Sequence, residues 1–226
     1  MRGLVHVVFA MAFAPLAATL ASAQEDPSVH MVTYVEVAPA AQGQAATLLR
    51  QLANASRKDA GLIRFEILQR TTPSREFVIL ESWKDQQAFD AHVATAHHKQ
   101  FREKVAPHLI APLDDRFSVP TLIGPSQPVR GGVVYVVTHV DVPGAVRDKG
   151  LAALTALSSL SRTDAGNLRF DVVHQKNRTN HFTVVEIWKD QRSNDAHELA
   201  VHTRAFRNAL TPITGALYDQ RWYRPL

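Results

Sequence analysis

Cysteine is absent from this chain of 226 residues. Its absence excludes disulfide bonds, thiolate zinc sites, iron–sulfur clusters and a cysteine nucleophile. The sequence also lacks a Gly-x-Gly-x-x-Gly run, the turn that binds the phosphates of dinucleotide cofactors. Any redox chemistry therefore depends neither on thiols nor on a recognisable dinucleotide motif.

A strong or clustered charge is missing as well. The chain has 25 Lys and Arg against 21 Asp and Glu, which gives a net charge of +4. These charges are scattered along the sequence and form no basic stripe, so nucleic acid is not a predicted partner.

The N-terminus is typical of a cleavable export signal. Arg2 precedes an apolar segment without charge from Leu4 to Leu20, and small residues follow at Ala21 and Ala23. The segment is too short for a membrane anchor and is interrupted by a histidine and a proline. We predict a signal peptide at residues 1–23 with cleavage after Ala23, a periplasmic or secreted location, and no membrane association after cleavage.

The rest of the chain is a tandem repeat, since a shift of 105 positions aligns its two halves without a gap. Arg57 to Phe65 aligns with Arg162 to Phe170, and Glu81 to Gln86 aligns with Glu186 to Gln191. We predict a first domain at residues 30–119 and a second at residues 133–226. The proline- and glycine-rich residues 120–132 are predicted to be a linker.

Each copy has the pattern strand, helix, strand, strand, two helices, strand. Gly61 and Gly166 are candidate helix C-caps, and Asp85 and Asp190 are candidate helix N-caps. The predicted fold class is α+β, with two tandem ferredoxin-like βαββααβ domains.

The hairpin of the first copy predicts an ion pair. With a loop at residues 71–74, Arg64 lies opposite Glu81, and the same count places Arg169 opposite Glu186. Such a pair either fixes strand register or serves catalysis. Alternation adds aromatic side chains to the face of each glutamate, either as plain core or as a wall that stacks on a planar ligand: Phe77, Trp83, Phe182 and Trp188.

Histidine is the side chain best suited to proton transfer near neutral pH. Only His92 and His97 of the first copy recur in the second, as His197 and His202. A spacing of five residues separates two side chains by about 140° on a continuous helix, so no metal site is predicted unless the helix breaks at residues 93–95. The alternative for His92 is a structural histidine at a helix end, and His98 is predicted to lie on the surface.

These residues resemble the antibiotic biosynthesis monooxygenase family, which includes quinol monooxygenases. The resemblance rests on Asp-x-Gly before a strand, on Glu-x-Trp-x-Asp at Glu81 and Glu186, and on Ala-His-x4-His at Ala91 and Ala196. It implies a dimeric α+β barrel with a pocket between the sheet and the helices of each domain. The implied function is a monooxygenase without a cofactor that acts with O2 on a quinol, an anthrone or a similar electron-rich aromatic substrate.

Roles for the repeated residues follow from this resemblance. His92 and His197 would act as base or anion stabiliser, with Arg64 and Arg169 as charge partners. The substrate would contact the remaining candidates: Glu81, Glu186, Trp83, Trp188, Phe77, Phe182, His97 and His202.

Two other functions stay open. Haem-binding members of the superfamily use an asparagine on the first strand, and residues 33–37 and 138–142 contain none. A non-catalytic module that binds small aromatic compounds is the other alternative, since the two copies differ at Tyr34 and His139.

The tandem arrangement also predicts an assembly. A four-stranded sheet with helices on one face needs cover on the other, and a linker of this length reaches roughly 20 Å. We predict an intrachain pseudo-dimer that is monomeric in solution. Two sheet faces are expected to meet: the face of the first copy that carries Phe65 and Leu80, and the face of the second copy that carries Phe170 and Val185. The alternative is a dimer of tandem chains.

Overall fold

Both copies have the predicted βαββααβ order. The computed structural model describes residues 26–129 and 131–226, so the predicted signal peptide lies outside the described residues. The first copy consists of β1 (Val29–Glu36), α1 (Gln42–Ser56), β2 (Leu62–Arg70), β3 (Glu76–Trp83), α2 (Gln86–Ala94), α3 (Ala96–Val105) and β4 (Asp114–Leu122). The second consists of β5 (Val134–Asp141), α4 (Arg147–Ser161), β6 (Asn167–Gln175), β7 (Arg178–Trp188), α5 (Gln191–Glu198), α6 (Val201–Leu210) and β8 (Asp219–Pro225). Within the described ranges, every helix is too short or too polar to cross a membrane.

Local signals explain where the helices next to the site begin and end. Asp85 and Asp190 are N-caps, as predicted, and their carboxylates accept from the backbone NH groups of Ala88 and Ser193. Gly61 is not a C-cap, because α1 ends at Ser56. It lies in the turn into β2 with φ +81°, a conformation that glycine adopts without strain.

The eight described strands form one closed barrel in the order β1-β3-β2-β8-β5-β7-β6-β4. Two antiparallel pairs join the copies, β2 with β8 and β4 with β6. The expected intrachain α+β barrel is therefore confirmed. The monomeric state stays a prediction, for which light scattering at several concentrations is the test.

Residues 120–122 belong to the sheet and not to the linker. Pro120 pairs with Val173 and Leu122 pairs with Val172, so β4 extends past the predicted boundary to reach the second copy. Proline is tolerated in this strand because the register shifts between Pro120 and Leu122 and leaves the ladder irregular there.

The side chains of each strand alternate between the barrel interior and the helices outside. Leu80 and Val185 pack together in the interior, as predicted. Phe65 and Phe170 do not, because each lies on the opposite face of its strand and packs beneath the helices. Phe65 lies opposite Glu81 and therefore shares its face of the sheet. Leu80 is the residue next to Glu81, so its side chain points to the opposite face.

The predicted ion pairs between Arg64 and Glu81 and between Arg169 and Glu186 are wrong. The loop between β2 and β3 spans residues 71–75, and this shift of one residue places Phe65, not Arg64, opposite Glu81. Arg64 lies opposite Ser82, and Arg169 lies opposite Ile187. Both arginines belong to the barrel side of the sheet.

An ion network forms there instead. Arg169 is 3 % exposed and donates from Nε to Asp171 Oδ2 at 2.6 Å and from Nη1 to Glu66 Oε2 at 2.7 Å. Tyr135 donates to the other oxygen of Glu66 at 2.9 Å. Arg64 Nη1 is 3.7 Å from Asp171 Oδ2. The two arginines therefore connect the copies inside the barrel.

Candidate functional site

A break between α2 and α3 brings the two repeated histidines of the first copy together. Thr95 lies between the helices in an extended conformation and caps α3 by accepting from the backbone NH of His98. His92 lies in the last turn of α2, and His97 lies in the first turn of α3. The angular argument against convergence holds only for a continuous helix, and this helix is interrupted.

Both rings contact the same oxygen of Asp59, in the turn after α1. His92 Nδ1 is 2.7 Å and His97 Nε2 is 2.9 Å from Asp59 Oδ2. The second copy repeats this arrangement, with His197 at 2.8 Å and His202 at 3.0 Å from Asp164 Oδ2. Neither aspartate is among the predicted site residues, although the repeated Asp-Ala-Gly motif contains both.

A glutamate lies on the other side of His92. Alternation along β3 places Glu81 and Trp83 on one face, and the indole Nε1 donates to Glu81 Oε2 at 2.9 Å. The same oxygen is 3.6 Å from His92 Nε2. The indole stacks on the imidazole with a centroid distance of 4.6 Å. Asp59, His92 and Glu81 therefore form a continuous acid–base series.

Burial determines the protonation of this series. Burial raises the pKa of Glu81 to about 7, although the hydrogen bond from Trp83 offsets part of this increase. Burial lowers the pKa of His92, and Asp59 opposes that shift. Since Asp59 accepts from Nδ1, the buried Nε2 is the free acceptor, and it has no hydrogen-bond partner. The Glu81 carboxyl therefore faces an unpartnered imidazole nitrogen 3.6 Å away.

A cavity of about 300 Å³ opens beside Glu81 in the first copy. It lies between β1, β3 and β4 of the sheet and the two helices α2 and α3. Apolar and polar side chains line it together: Met31, Thr33, Glu81, Phe89, Val93, His98, Arg102 and Asp115.

His98 belongs to this lining, so its predicted surface location is wrong. Its ring packs edge-on against His92 with a centroid distance of 4.9 Å. Burial lowers the pKa of His98 to about 4, which leaves a neutral ring at the cavity at neutral pH. Arg102 and Asp115 form an ion pair of 2.7 Å at the same cavity, and Asp115 also accepts from Thr33 at 2.8 Å.

In the second copy, polar side chains occupy the equivalent space. Glu198 replaces Val93, and its carboxylate accepts from Arg207 and, at 2.7 Å, from Gln220 Nε2. Asn194 replaces Phe89 and accepts from Trp222 Nε1 at 2.9 Å. These bonds close the region above Glu186, whose pKa burial raises to about 8.

The remaining predicted site residues lie away from the cavity. Trp83 and Trp188 are 0 % exposed and stack on histidines, which makes them core and not a wall for a ligand. Phe77 and Phe182 are buried in the clusters between sheet and helices. Arg64 and Arg169 face the barrel interior, so neither is a charge partner of His92 or His197.

The two Asp–His–His groups also have the composition of metal sites. In both groups, however, each imidazole contacts its aspartate in hydrogen-bond geometry. Hydrogen bonds therefore satisfy these atoms without an ion.

The sequence model described as "Antibiotic biosynthesis monooxygenase" matches residues 28–104 and 133–209. A Bacillus subtilis (strain 168) protein named "Putative monooxygenase YcnE" is 32 % identical over 81 residues, which cover 36 % of this chain and 85 % of that protein. A solved "Putative monooxygenase" from Fusobacterium nucleatum superposes with a TM-score of 0.79 at 14 % identity, over 88 % of this chain and 92 % of that one. A solved "anthrone oxidase-like protein" gives a TM-score of 0.70 at 13 % identity, over 89 % and 92 %. At these identities the two superpositions show a shared fold.

Proposed function

Because the chain belongs to the antibiotic biosynthesis monooxygenase family, we propose that its first copy oxidises a quinol, an anthrone or a similar electron-rich aromatic compound with O2. The observation that carries this proposal is the cavity of about 300 Å³ beside Glu81, with His92 and Asp59 behind the carboxylate. A base adjacent to a largely apolar cavity suits the activation of a weakly acidic aromatic substrate.

The lining supports an aromatic occupant. Met31, Phe89 and Val93 provide apolar contacts for a planar ring. His98 and the pair of Arg102 with Asp115 provide polar contacts for hydroxyl or carbonyl groups. A solved neighbour is described as anthrone oxidase-like, and since its likeness is one of fold, anthrone is one of two substrate classes to be tested.

Glu81 is the proposed general base. It accepts a proton from the phenolic hydroxyl of a quinol or from the acidic CH2 group of an anthrone. The hydrogen bond from Trp83 holds the carboxylate in place, and His92, which Asp59 orients, is a positioning residue that stabilises the transferred proton. Such a base is most effective with a pKa close to the working pH, and burial raises the pKa of Glu81 to about 7.

O2 is the oxidant in the proposed reaction. The substrate anion gives one electron to O2, and the resulting radical and superoxide join to form a C–O bond. The peroxide, with a proton, loses water as the remaining C–H bond breaks. An anthrone CH2 group thus becomes a carbonyl, and a quinol becomes a hydroxyquinone, with one oxygen atom in the product and one in water. The reaction written in this way uses no flavin, haem or metal.

Oxygen consumption by the purified protein tests this proposal. The substrates are 1,4-naphthohydroquinone and anthrone, with autoxidation in buffer subtracted. We expect Glu81→Gln to lower kcat by about 100-fold or more, since general bases contribute about 10²- to 10⁴-fold. The matched control is Glu186→Gln, which makes the same change in the closed second copy and should leave kcat within about twofold.

Two results would contradict the proposal. One is no oxygen consumption above buffer with either substrate class, and the other is equal loss in the two variants. Saturable binding of the quinol without turnover would instead favour the non-catalytic aromatic-binding module.

A further inference from the structure

A second group of chemically reactive side chains lies in the second copy, away from the proposed catalytic cavity. His139 and Asp141 are two residues apart on β5, and Asp141 lies directly opposite His181 on β7. Their face of β5 also carries Tyr135 and Val137, which pack in the barrel interior. The three side chains therefore lie together near one end of the barrel.

Their ligand atoms converge without forming hydrogen bonds. His139 Nε2 is 2.8 Å and His181 Nδ1 is 2.7 Å from the same oxygen, Asp141 Oδ1. Neither contact has hydrogen-bond geometry, and Asp141 Oδ1 is buried without a hydrogen-bond partner. All three ligand atoms lie within 4.8 Å of one another. A buried carboxylate oxygen left in this state is costly, and a shared cation would satisfy it.

We propose that His139, Asp141 and His181 bind a divalent transition-metal ion, with Zn²⁺ as the expected occupant. Two imidazole nitrogens and one carboxylate oxygen are typical Zn²⁺ ligands, at about 2.0–2.2 Å from the ion. A tetrahedral arrangement with those bond lengths separates the ligand atoms by about 3.4 Å, so small rotamer changes in this group suffice. Three protein ligands leave a fourth position for water or a small anion.

The backbone around the group is held in place. The carbonyl of Asp141 accepts from the NH of Gly215 at 2.8 Å, and the next residue, Val142, donates to the carbonyl of Asn180 at 3.2 Å. Both strands are thus fixed beside their ligands, which lowers the conformational cost of binding an ion.

Neighbouring charges are compatible with a bound cation. The positive charge of Arg116 is close enough to His139 to disfavour a cation there, but its guanidinium pairs with Asp114 at 2.7 Å. Asp219, whose negative charge also reaches His139, pairs with Arg221 at 2.7 Å. Each arginine charge is therefore offset by a carboxylate.

The first copy shows what the same positions look like without such a site. Tyr34, Glu36 and Glu76 stand at the equivalent positions, and Glu36 pairs with Arg75 at 3.3 Å. Glu76 pairs with Arg70. Arginines satisfy these carboxylates, whereas the nitrogens around Asp141 belong to two histidines.

Calorimetric titration of the chelator-treated protein with Zn²⁺ tests the proposal, with the visible absorption of Co²⁺ as a second readout of coordination. We expect one equivalent to bind. His181→Gln should weaken binding by at least about 100-fold, since even residues that only orient a metal ligand contribute about 10- to 100-fold. His139→Tyr, which introduces the residue of the first copy, should have the same effect.

Two control variants distinguish this site from other histidines. His174→Gln removes a half-buried histidine outside the group and introduces the residue that the first copy has at that position, Gln69. His202→Gln disrupts the Asp164 group. Both should bind Zn²⁺ like the parent protein. Circular dichroism checks that each variant is folded.

The proposal would be overturned by the absence of saturable Zn²⁺ binding or by binding that survives in folded His181→Gln and His139→Tyr. Loss of binding in His202→Gln alone would place the ion at the Asp164 group instead. Because the readout is metal binding, failure here is independent of the oxygen-consumption result.

Discussion

The two copies contain nearly the same acid–base series but different surroundings. The distance from histidine to aspartate is 2.7 Å in the first copy and 2.8 Å in the second, and the indole bond to the glutamate is 2.9 Å in both. The histidine–glutamate distance is 3.6 Å in both. The series is therefore a structural feature of the repeat and does not by itself distinguish an active copy.

The space next to the glutamate is what differs. Val93 and Phe89 leave a cavity beside Glu81, whereas Glu198 and Asn194 use their polar groups to bond across the same space in the second copy. A buried base needs a neighbouring space that admits a substrate. The comparison thus favours the first copy as the location of the proposed catalysis, while the second copy provides half of the barrel and the proposed metal site.

The largest expected effect concerns stability and compares the two interior arginines. Arg169→Met leaves the buried Asp171 and the half-buried Glu66 without their principal cation, which should cost about 3–5 kcal/mol. Arg64 has a side chain that is 27 % exposed and contacts Asp171 at 3.7 Å, so Arg64→Met should cost less than about 1 kcal/mol. Urea unfolding measures both values. Equal costs would show that the interior network does not depend on the buried arginine.

The second prediction closes the open cavity by giving the first copy the polar side chains of the second. Val93→Glu combined with Asp115→Gln should allow Arg102 to form the bonds that Arg207 makes with Glu198 and Gln220. We expect kcat/KM to fall at least about 100-fold because the substrate is excluded, a loss of about 2.7 kcal/mol in transition-state binding.

Glu198→Gln is the control for this variant, since it changes the closed copy and should leave turnover unchanged. Thermal unfolding of the double variant should stay close to that of the parent. Turnover that persists in a folded double variant would show that the cavity is not where the substrate binds.

The fold could be predicted largely from sequence because it depends on periodicity and repetition. Aligned halves, β-branched runs and capping aspartates such as Asp85 are local signals, and each appears twice. The hairpin register was not predictable in this way. It depends on whether Arg75 belongs to the loop or to the strand, and one residue decides which face every side chain takes.

The candidate site was predictable only in part, for a related reason. His92 and Glu81 were identified from repetition, which also pointed to the false partner Arg64. His98 and Asp115 line the cavity but do not recur in the second copy, so repetition gives no signal for either of them. In the proposed function, the residues that distinguish the first copy from the second are those that open its cavity.

The third prediction uses the pKa values of the two buried glutamates. Burial raises the pKa from 4.5 to about 7 for Glu81 and to about 8 for Glu186. Below the pKa of the unfolded state, each glutamate is protonated in both the folded and the unfolded protein. Its contribution to the stability of the folded protein is then fully present. As the pH rises, the unfolded state ionises first, so each glutamate lowers stability by roughly 1.4 kcal/mol per pH unit until its folded pKa is reached.

Glutamine cannot ionise, so each Glu→Gln variant removes one of these contributions. The stability of Glu81→Gln relative to the parent should increase from pH 4.5 and level off near pH 7, and that of Glu186→Gln should level off near pH 8. Subtracting the parent's curve cancels the opposite contributions of the buried histidines. Difference curves that stay flat between these pH values would contradict the assigned protonation states.

The smallest expected effect concerns the break between the two histidine-bearing helices. Thr95 caps α3 with its side chain, whereas Ala200 occupies the same position before α6 and offers no side-chain cap. The backbone angles agree, with φ −65° and ψ 155° at Thr95 and φ −64° and ψ 150° at Ala200. A threonine side chain should therefore fit at position 200 without a change of backbone.

Thr95→Ala should lower the free energy of unfolding by about 0.5–1 kcal/mol, and Ala200→Thr should raise it by a similar amount, both measured by urea unfolding. Ala200→Thr could prove neutral while Thr95→Ala is costly. In that case the Thr95 hydroxyl stabilises the break mainly by donating to the carbonyl of His92 at 2.6 Å, and not by capping α3.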